Sequence, residues 1–165
     1  MTAFPEQPFG PADALTLDDV PLAVIRHEGL RIADLRDVFD TGYAEIGAAF
    51  ATGELVPTGP AIAAYFGDPR ETFDLELGFP VAESPTEPIP TASGARIIAS
   101  ALPTGPAVAT TVHGSYENLG AGWMTLAERA AADGGRPRGI WIEVYVSDPG
   151  TNPADLRTDL ILPLA

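Results

Sequence analysis

The stretch GIWIEVYVSDP, residues 139–149, alternates its side chains with the two-residue period of a β-strand. One face, suited to packing under helices, carries an aliphatic row: Ile140, Ile142, Val144 and Val146. Trp141, Glu143 and Tyr145 share the other face. A carboxylate between two aromatic rings is not expected in a strand that only forms core, because a buried charge must be paired or neutralised. The pattern is typical of a pocket for an aromatic or cationic small molecule.

The two halves of the chain are similar to each other. Tyr65-Phe66-Gly67-Asp68-Pro69 aligns with Tyr145-Val146-Ser147-Asp148-Pro149, and a predicted helix precedes each segment. The helices are indicated by apolar side chains that recur every three or four residues. In the first half these are Ile32, Leu35, Phe39, Tyr43, Ile46 and Phe50, and in the second Leu119, Trp123, Leu126 and Ala130. The predicted order of elements in each half is therefore strand–helix–strand–strand.

This order predicts an α+β fold: a pseudo-twofold tandem repeat of βαββ units, with an antiparallel sheet backed by two helices. We expect residues 1–14 to be a flexible tail and residues 15–165 to form one domain. Within that domain the repeats span about 20–81 and 95–165, and the proline-rich segment 82–93 joins them. A further strand at 94–101 either precedes the second repeat or continues the joint.

Composition excludes several classes of protein. The net charge of −14 and the nine scattered arginines argue against direct nucleic acid binding and favour cationic ligands or a basic protein partner. The same acidity is also explained by solubility alone. There is no cysteine, no apolar run of membrane-spanning length and no N-terminal secretion signal, so we expect a cytoplasmic location without membrane association.

Cofactor and metal binding have little support in the sequence. His27 and His113 fall in different repeats, outside any recognised metal-ligand spacing. The glycines of residues 114–122 lack the lysine of a phosphate loop, and no GxSxG elbow supports a serine nucleophile. We therefore expect no metal and no cofactor.

The chain resembles the GyrI-like small-molecule-binding family, the effector-binding domains found alone or attached to AraC-type and MerR-type activators. Five segments carry the resemblance: 59–65 (GPAIAAY), 74–80 (DLELGFP), 113–117 (HGSYE), 143–145 (EVY) and 158–164 (TDLILPL). The resemblance implies a ligand cleft along the seam between the repeats, with Glu143 at its base and Tyr145 nearby. Ser115 departs from the proline that is common there. Because no DNA-binding helices precede the resemblance, we expect a stand-alone member.

The candidate ligand-binding residues follow from these patterns. Glu143 and Tyr145 are the candidate catalytic pair if the protein is an enzyme, and Trp141 shares their strand face. The alternative for Glu143 is a carboxylate satisfied by backbone N–H groups or an arginine. The remaining candidates are Tyr65, Phe39, Tyr43, Trp123 and His113. For the aromatic residues the alternative is hydrophobic core between the halves, and for His113 it is a polar strand end.

Three functions fit these residues. The first is binding of hydrophobic, aromatic or cationic small molecules, for sequestration or sensing, with a resistance role as one outcome. The second is hydrolysis of the cyclopropane ring of DNA-alkylating natural products, an activity that the resemblance implies for some members. Glu143 would then act as general base, while Tyr145 or Tyr65 stabilises the oxyanion. The third is binding of a protein partner, as a gyrase inhibitor would.

Overall fold

The computed structural model describes residues 2–148 and 150–165, so Met1 of the predicted tail and Pro149 of the predicted second hairpin loop lie outside the described residues. The described part of the chain contains two α-helices, α1 (Leu35–Ala51) and α2 (Leu119–Ala132), and nine strands. The strands are β1 (Asp13–Leu17), β2 (Pro21–Leu30), β3 (Ala61–Gly67), β4 (Phe73–Pro80), β5 (Ile89–Pro90), β6 (Arg96–Ala101), β7 (Gly105–His113), β8 (Ile140–Tyr145) and β9 (Arg157–Pro163).

The chain folds into two compact units. Residues 19–102 form the α1 unit, and the described residues of 1–18 and 103–165 form the α2 unit. Every strand pair within either unit, among the described residues, is antiparallel. The predicted α+β class, with antiparallel strands and two helices, is confirmed. The relation of the two halves by a tandem repeat stays a prediction.

In the α1 unit the strands follow the order β3-β4-β2-β6-β5. The apolar stripe of α1 faces this sheet, and its buried residues are Gly42, Ile46 and Ala49. Sheet residues such as Leu75 and Leu77 are fully buried beneath the helix, where removal of their apolar surface from water stabilises the unit. Gly53, at a φ of 81°, follows the helix and ends it.

The proline-rich segment belongs to the α1 unit. β5 lies within it and pairs with β6, and β6 pairs with β2 from Pro21↔Ala101 to Ile25↔Ile97. The strand that we expected to precede the second repeat or continue the joint is therefore part of the sheet under α1. The chain passes from this unit to the other between Leu102 and Pro103.

In the α2 unit the strands follow the order β1-β7-β9-β8. The helix lies against β7 and β9, and its Leu126 and Ala130 form a core cluster with Val108, Leu160 and Leu162 of the sheet. A 3-10 turn precedes α2, and Ser115 Oγ caps it by accepting from the Glu117 N–H at 3.3 Å. Gly134, at a φ of 81°, follows the end of the helix.

The predicted N-terminal tail is bound to the α2 unit. The guanidinium of Arg157 donates to the carbonyls of residues 5–7 at distances of 2.7 to 3.2 Å. Arg157 also pairs with the fully buried Asp159 at 2.9 Å, and Asp159 accepts from the Thr111 hydroxyl at 2.6 Å. Thr111 in turn accepts from the Phe9 N–H at 2.8 Å. A buried ion pair with all these partners fixes the segment to one face of the sheet.

No helix in residues 2–148 and 150–165 is long and apolar enough to cross a membrane.

Candidate functional site

The site is centred on Glu143, near the middle of β8. Its side chain is buried, with 7% of the residue exposed, and both carboxylate oxygens accept hydrogen bonds. The Trp123 indole N–H of α2 donates to Oε2 at 2.8 Å, and the Tyr145 hydroxyl of β8 donates to Oε1 at 2.6 Å. An indole N–H can only donate, so the carboxylate is the acceptor. Two aromatic donors therefore fix the orientation of a buried acidic group.

A pair of tryptophans forms one wall beside this carboxylate. The Trp123 and Trp141 rings meet edge to face, with centroids 5.2 Å apart and planes at 86°. This is a preferred arrangement of aromatic quadrupoles. Both rings are half-buried against the core cluster under α2, so their positions are set by the packing of the helix on the sheet. The structure thus brings together Glu143, Tyr145, Trp141 and Trp123, all of them predicted site residues.

The predicted position of the helix relative to β8 was wrong. We expected helices over the aliphatic face, but α2 covers the face of Trp141 and Glu143, because Trp141 packs on its core cluster and Glu143 lies opposite Leu160 of that cluster. The aliphatic residues Ile142 and Val144 are also fully buried. Their face carries Asp159, the strand partner of Val144, and with it the bound N-terminal segment. An aliphatic row shows that a face is buried but not what buries it.

Tyr116 is a further candidate for the site, and it was not among the predicted residues. It lies in the 3-10 turn before α2, and its ring meets that of Tyr145 edge to face, with centroids 6.0 Å apart. Almost half of it is exposed (47%). The signal was its place in HGSYE, one of the segments that carry the family resemblance. Tyr116 thus gives the site an exposed aromatic edge.

Three predicted residues lie in the α1 unit. Phe39 and Tyr43 are neighbours on α1, with ring centroids 5.8 Å apart, and Tyr43 also meets Phe79 at 5.8 Å. The Tyr43 hydroxyl donates to the Ile62 carbonyl at 2.7 Å. Tyr65 is buried, and its ring lies 5.6 Å from that of Phe73. That these residues join Glu143 in one cleft stays a prediction.

His113 lies on the other face of the α2 unit's sheet from Glu143. It is exposed at the end of β7 and opposite Arg157 of β9. Side chains alternate along a strand, so Arg157 and Asp159 share a face, and that face is opposite to the one of Glu143 and Leu160. The structure therefore separates this candidate from the Glu143 carboxylate, and its place fits the alternative of a polar strand end.

Metal-ligating side chains do not gather at this site. Among the described residues, no group of three or more His, Cys, Asp or Glu side chains could hold a metal ion. What the site offers a ligand is one oriented carboxylate and aromatic surface from two tryptophans and two tyrosines. Stacking, cation–π attraction and charge complementarity are the interactions that these groups can make.

Solved structures support the fold. The chain is similar to the C-terminal domain of EcmrR, with 17% identity, a TM-score of 0.73, and coverage of 93% of this chain and 96% of that one. It is also similar to SAV2435 bound to tetraphenylphosphonium, with 9% identity, a TM-score of 0.64, and coverage of 93% of each chain. A hydrolase of Listeria innocua shares 14% identity and a TM-score of 0.63, with 97% of this chain and 94% of that one covered.

No curated protein matches the sequence. The sequence profile of the GyrI-like small molecule binding domain matches residues 12–165, from just before β1 to the last residue. All five segments that carried the resemblance lie within this range. The chain therefore belongs to the GyrI-like small-molecule-binding domain family.

Proposed function

We propose that this chain binds hydrophobic small molecules of aromatic or cationic character, and that Glu143 supplies the charge that recognises a cation. The observation that carries the proposal is the burial of the Glu143 carboxylate between aromatic donors at 2.8 and 2.6 Å. Keeping a carboxylate under a helix costs desolvation free energy, and a cationic ligand would offset part of that cost. The membership of the family and the tetraphenylphosphonium-bound neighbour support the same class of ligand.

The aromatic residues and the carboxylate would act on different parts of such a ligand. Trp123, Trp141, Tyr145 and Tyr116 offer ring surface, which gains from apolar burial and from contact with a cation over a ring face. Glu143 adds Coulomb attraction, which is stronger in a site with little water than in bulk solvent. The acidic chain, with its net charge of −14, raises the local concentration of cations. Aromatic area would thus provide affinity, and Glu143 would provide preference for positive charge.

Titration calorimetry with tetraphenylphosphonium tests this function. Glu143→Gln should weaken binding by about tenfold to a hundredfold, the usual effect of losing a charge-assisted contact. Glu128→Gln is the matched control, because Glu128 is exposed on α2 and its replacement changes the net charge equally. It should leave the affinity unchanged within about twofold, as expected for an exposed charge. Equal affinities of the wild type and Glu143→Gln would contradict the proposal.

The contact between Glu143 and Tyr145 favours a second function, hydrolysis of a strained cyclopropane ring. Glu143 would accept a proton from water, whose oxygen bonds to a ring carbon as the ring C–C bond breaks. The electron pair of that bond would pass into the conjugated carbonyl of the substrate, and the Tyr145 hydroxyl would donate to the resulting oxyanion. A solved neighbour that is a hydrolase supports this function. It ranks second because the same carboxylate and hydroxyl suffice for binding alone.

Mass spectrometry separates binding from hydrolysis. A cyclopropane-bearing DNA alkylator is incubated with substoichiometric protein, and the recovered compound is weighed. Return of the compound with one added water over many turnovers, lost in Glu143→Gln and kept in Glu128→Gln, would establish hydrolysis. Return of the compound unchanged while the native spectrum shows a complex would establish binding without turnover.

A further inference from the structure

At Gly122, α2 lies close to its sheet. A Cβ atom there would lie 2.6 Å from Val112 Cγ2 and 3.1 Å from Leu160 Cδ1. Gly120 lies one half-turn earlier on the same helix, and a Cβ there would meet nothing within 4 Å. Glycine weakens a helix interior relative to alanine, so its presence at 122 calls for a compensating gain. That gain is close approach of the helix to the sheet.

The close approach acts on the site through the next residue. Gly122 precedes Trp123, whose indole N–H donates to Glu143, and Leu160 beneath Gly122 is the strand partner of Glu143. Carbon atoms of packed side chains stay about 3.5 Å or more apart, so a Cβ at 122 would push the helix away by up to about 1 Å. The 2.8 Å bond from Trp123 would then exceed the range of a hydrogen bond.

We propose that Gly122 is a positioning residue of the ligand site: its missing side chain sets the distance between α2 and the sheet at which the Trp123 indole reaches Glu143. The side chain facing it makes the requirement strict. Val112 is β-branched and stiff at χ1, so its methyl group cannot easily turn away from a new Cβ. The consequence for affinity rests on the function proposed above, whereas the consequence for the Trp123–Glu143 bond does not.

The two tryptophans of the chain make this measurable, because they are the Trp123–Trp141 pair itself. The far-ultraviolet exciton couplet reports their mutual geometry, and the NMR shift of the Trp123 indole proton reports its hydrogen bond. Gly122→Ala should lose the couplet and move that proton upfield. Gly120→Ala, the matched control, should keep both signals and raise Tm, because alanine favours the helix where there is room.

A rescue variant separates positioning from general damage. Val112→Ala removes the facing methyl groups, so the double variant Gly122→Ala/Val112→Ala should recover the couplet and the indole shift that Gly122→Ala loses. Recovery supports the proposal even if Gly122→Ala alone fails to fold. Unchanged signals in a folded Gly122→Ala, or signals lost in the single variant and not recovered in the double variant, overturn it.

Tetraphenylphosphonium affinity provides the link to function. It should fall about tenfold in Gly122→Ala, because the displaced Trp123 ring loses its contact with the cation, and recover in the double variant. If the wild type fails to bind this cation while the spectroscopic signals follow the expected pattern, the proposed ligand class is wrong and the positioning role stands. Loss of the signals without a change in affinity would overturn the role of Gly122 in the ligand site.

Discussion

In each unit an aromatic side chain of the helix donates a hydrogen bond to the sheet, and the two acceptors differ. Tyr43 of α1 donates to the Ile62 carbonyl at 2.7 Å, whereas Trp123 of α2 donates to the Glu143 carboxylate at 2.8 Å. A backbone carbonyl must be paired in any fold, so the bond of Tyr43 has a structural explanation. The other buried carboxylate described above, Asp159, is held by the guanidinium of Arg157, whereas Glu143 accepts from the indole of Trp123 and the hydroxyl of Tyr145. A buried carboxylate among aromatic donors therefore makes Glu143 the candidate for ligand recognition.

The largest expected effect comes from truncating one core residue in each helix. The two substitutions should cost similar stability, but only the one in α2 should change the tryptophan pair. Leu126 of α2 and Ile46 of α1 are each fully buried, and alanine at either position should lower the free energy of unfolding by about 2–5 kcal/mol. Only Leu126→Ala should also change the Trp123–Trp141 exciton couplet, because Trp123 and Trp141 pack on its cluster. Urea unfolding and circular dichroism measure both. A changed couplet in Ile46→Ala would break the comparison.

One ion pair in each unit provides a second comparison, because the pair of Arg157 is buried and the pairs of Arg26 are partly exposed. Asp159 is fully buried and its partner Arg157 is 13% exposed, so Asp159→Asn should cost about 3 kcal/mol of unfolding free energy by leaving a charge without its counter-charge. Arg26 is more exposed and pairs with both Asp74 and Glu76, so Asp74→Asn should cost less than about 1 kcal/mol.

Limited proteolysis follows the same two variants. Asp159→Asn should speed cleavage within residues 2–9, because Arg157 and Thr111 hold that segment. Asp74→Asn should leave the cleavage rate unchanged. Equal costs of the two substitutions would show that burial does not distinguish these ion pairs.

The smallest expected effect is a pH dependence confined to the α1 unit. Burial lowers the pKa of His27 below its ordinary 6.5, against a weaker opposing effect of the Glu45 charge. The unfolded chain then takes up the proton at a higher pH than the folded one. The stability that this group contributes is present above about pH 6.5 and is lost as the pH falls through the lower folded value.

Paired unfolding curves at pH 7.5 and 5.5 measure this contribution. The decrease in stability should be smaller in His27→Gln than in the wild type, while the tryptophan couplet of the α2 unit should be the same in both. A decrease of equal size in His27→Gln would assign the pH dependence to other groups.

Much of the fold and part of the candidate site were predictable from the sequence. The three- and four-residue spacing of apolar side chains identified both helices, and the alternation around Glu143 placed Trp141, Glu143 and Tyr145 on one strand face. Such patterns are predictive because they reflect the fixed periods of helix and strand. They report what is buried, however, and not which element covers it.

The misses follow from that limit. The helix was expected on the aliphatic face of β8, but Ile142 and Val144 are buried on the face that carries Asp159 and the N-terminal segment. β6 pairs with β2 in the α1 unit, a long-range contact that no local pattern in the sequence encodes. The roles of Tyr116 and Gly122 follow from contacts that form only when the helical segments pack on the sheet, so no local pattern in the sequence indicates them.

The central claim is that Glu143 recognises positive charge, and a pair of ions of the same shape and opposite charge tests it most directly. Calorimetry compares tetraphenylphosphonium with tetraphenylborate on the wild type, Glu143→Gln and the control Glu128→Gln. Glu143→Gln should weaken phosphonium binding and strengthen borate binding, so the ratio of the two affinities should fall by about tenfold or more. Glu128→Gln should leave this ratio unchanged. An unchanged preference in Glu143→Gln would contradict the claim.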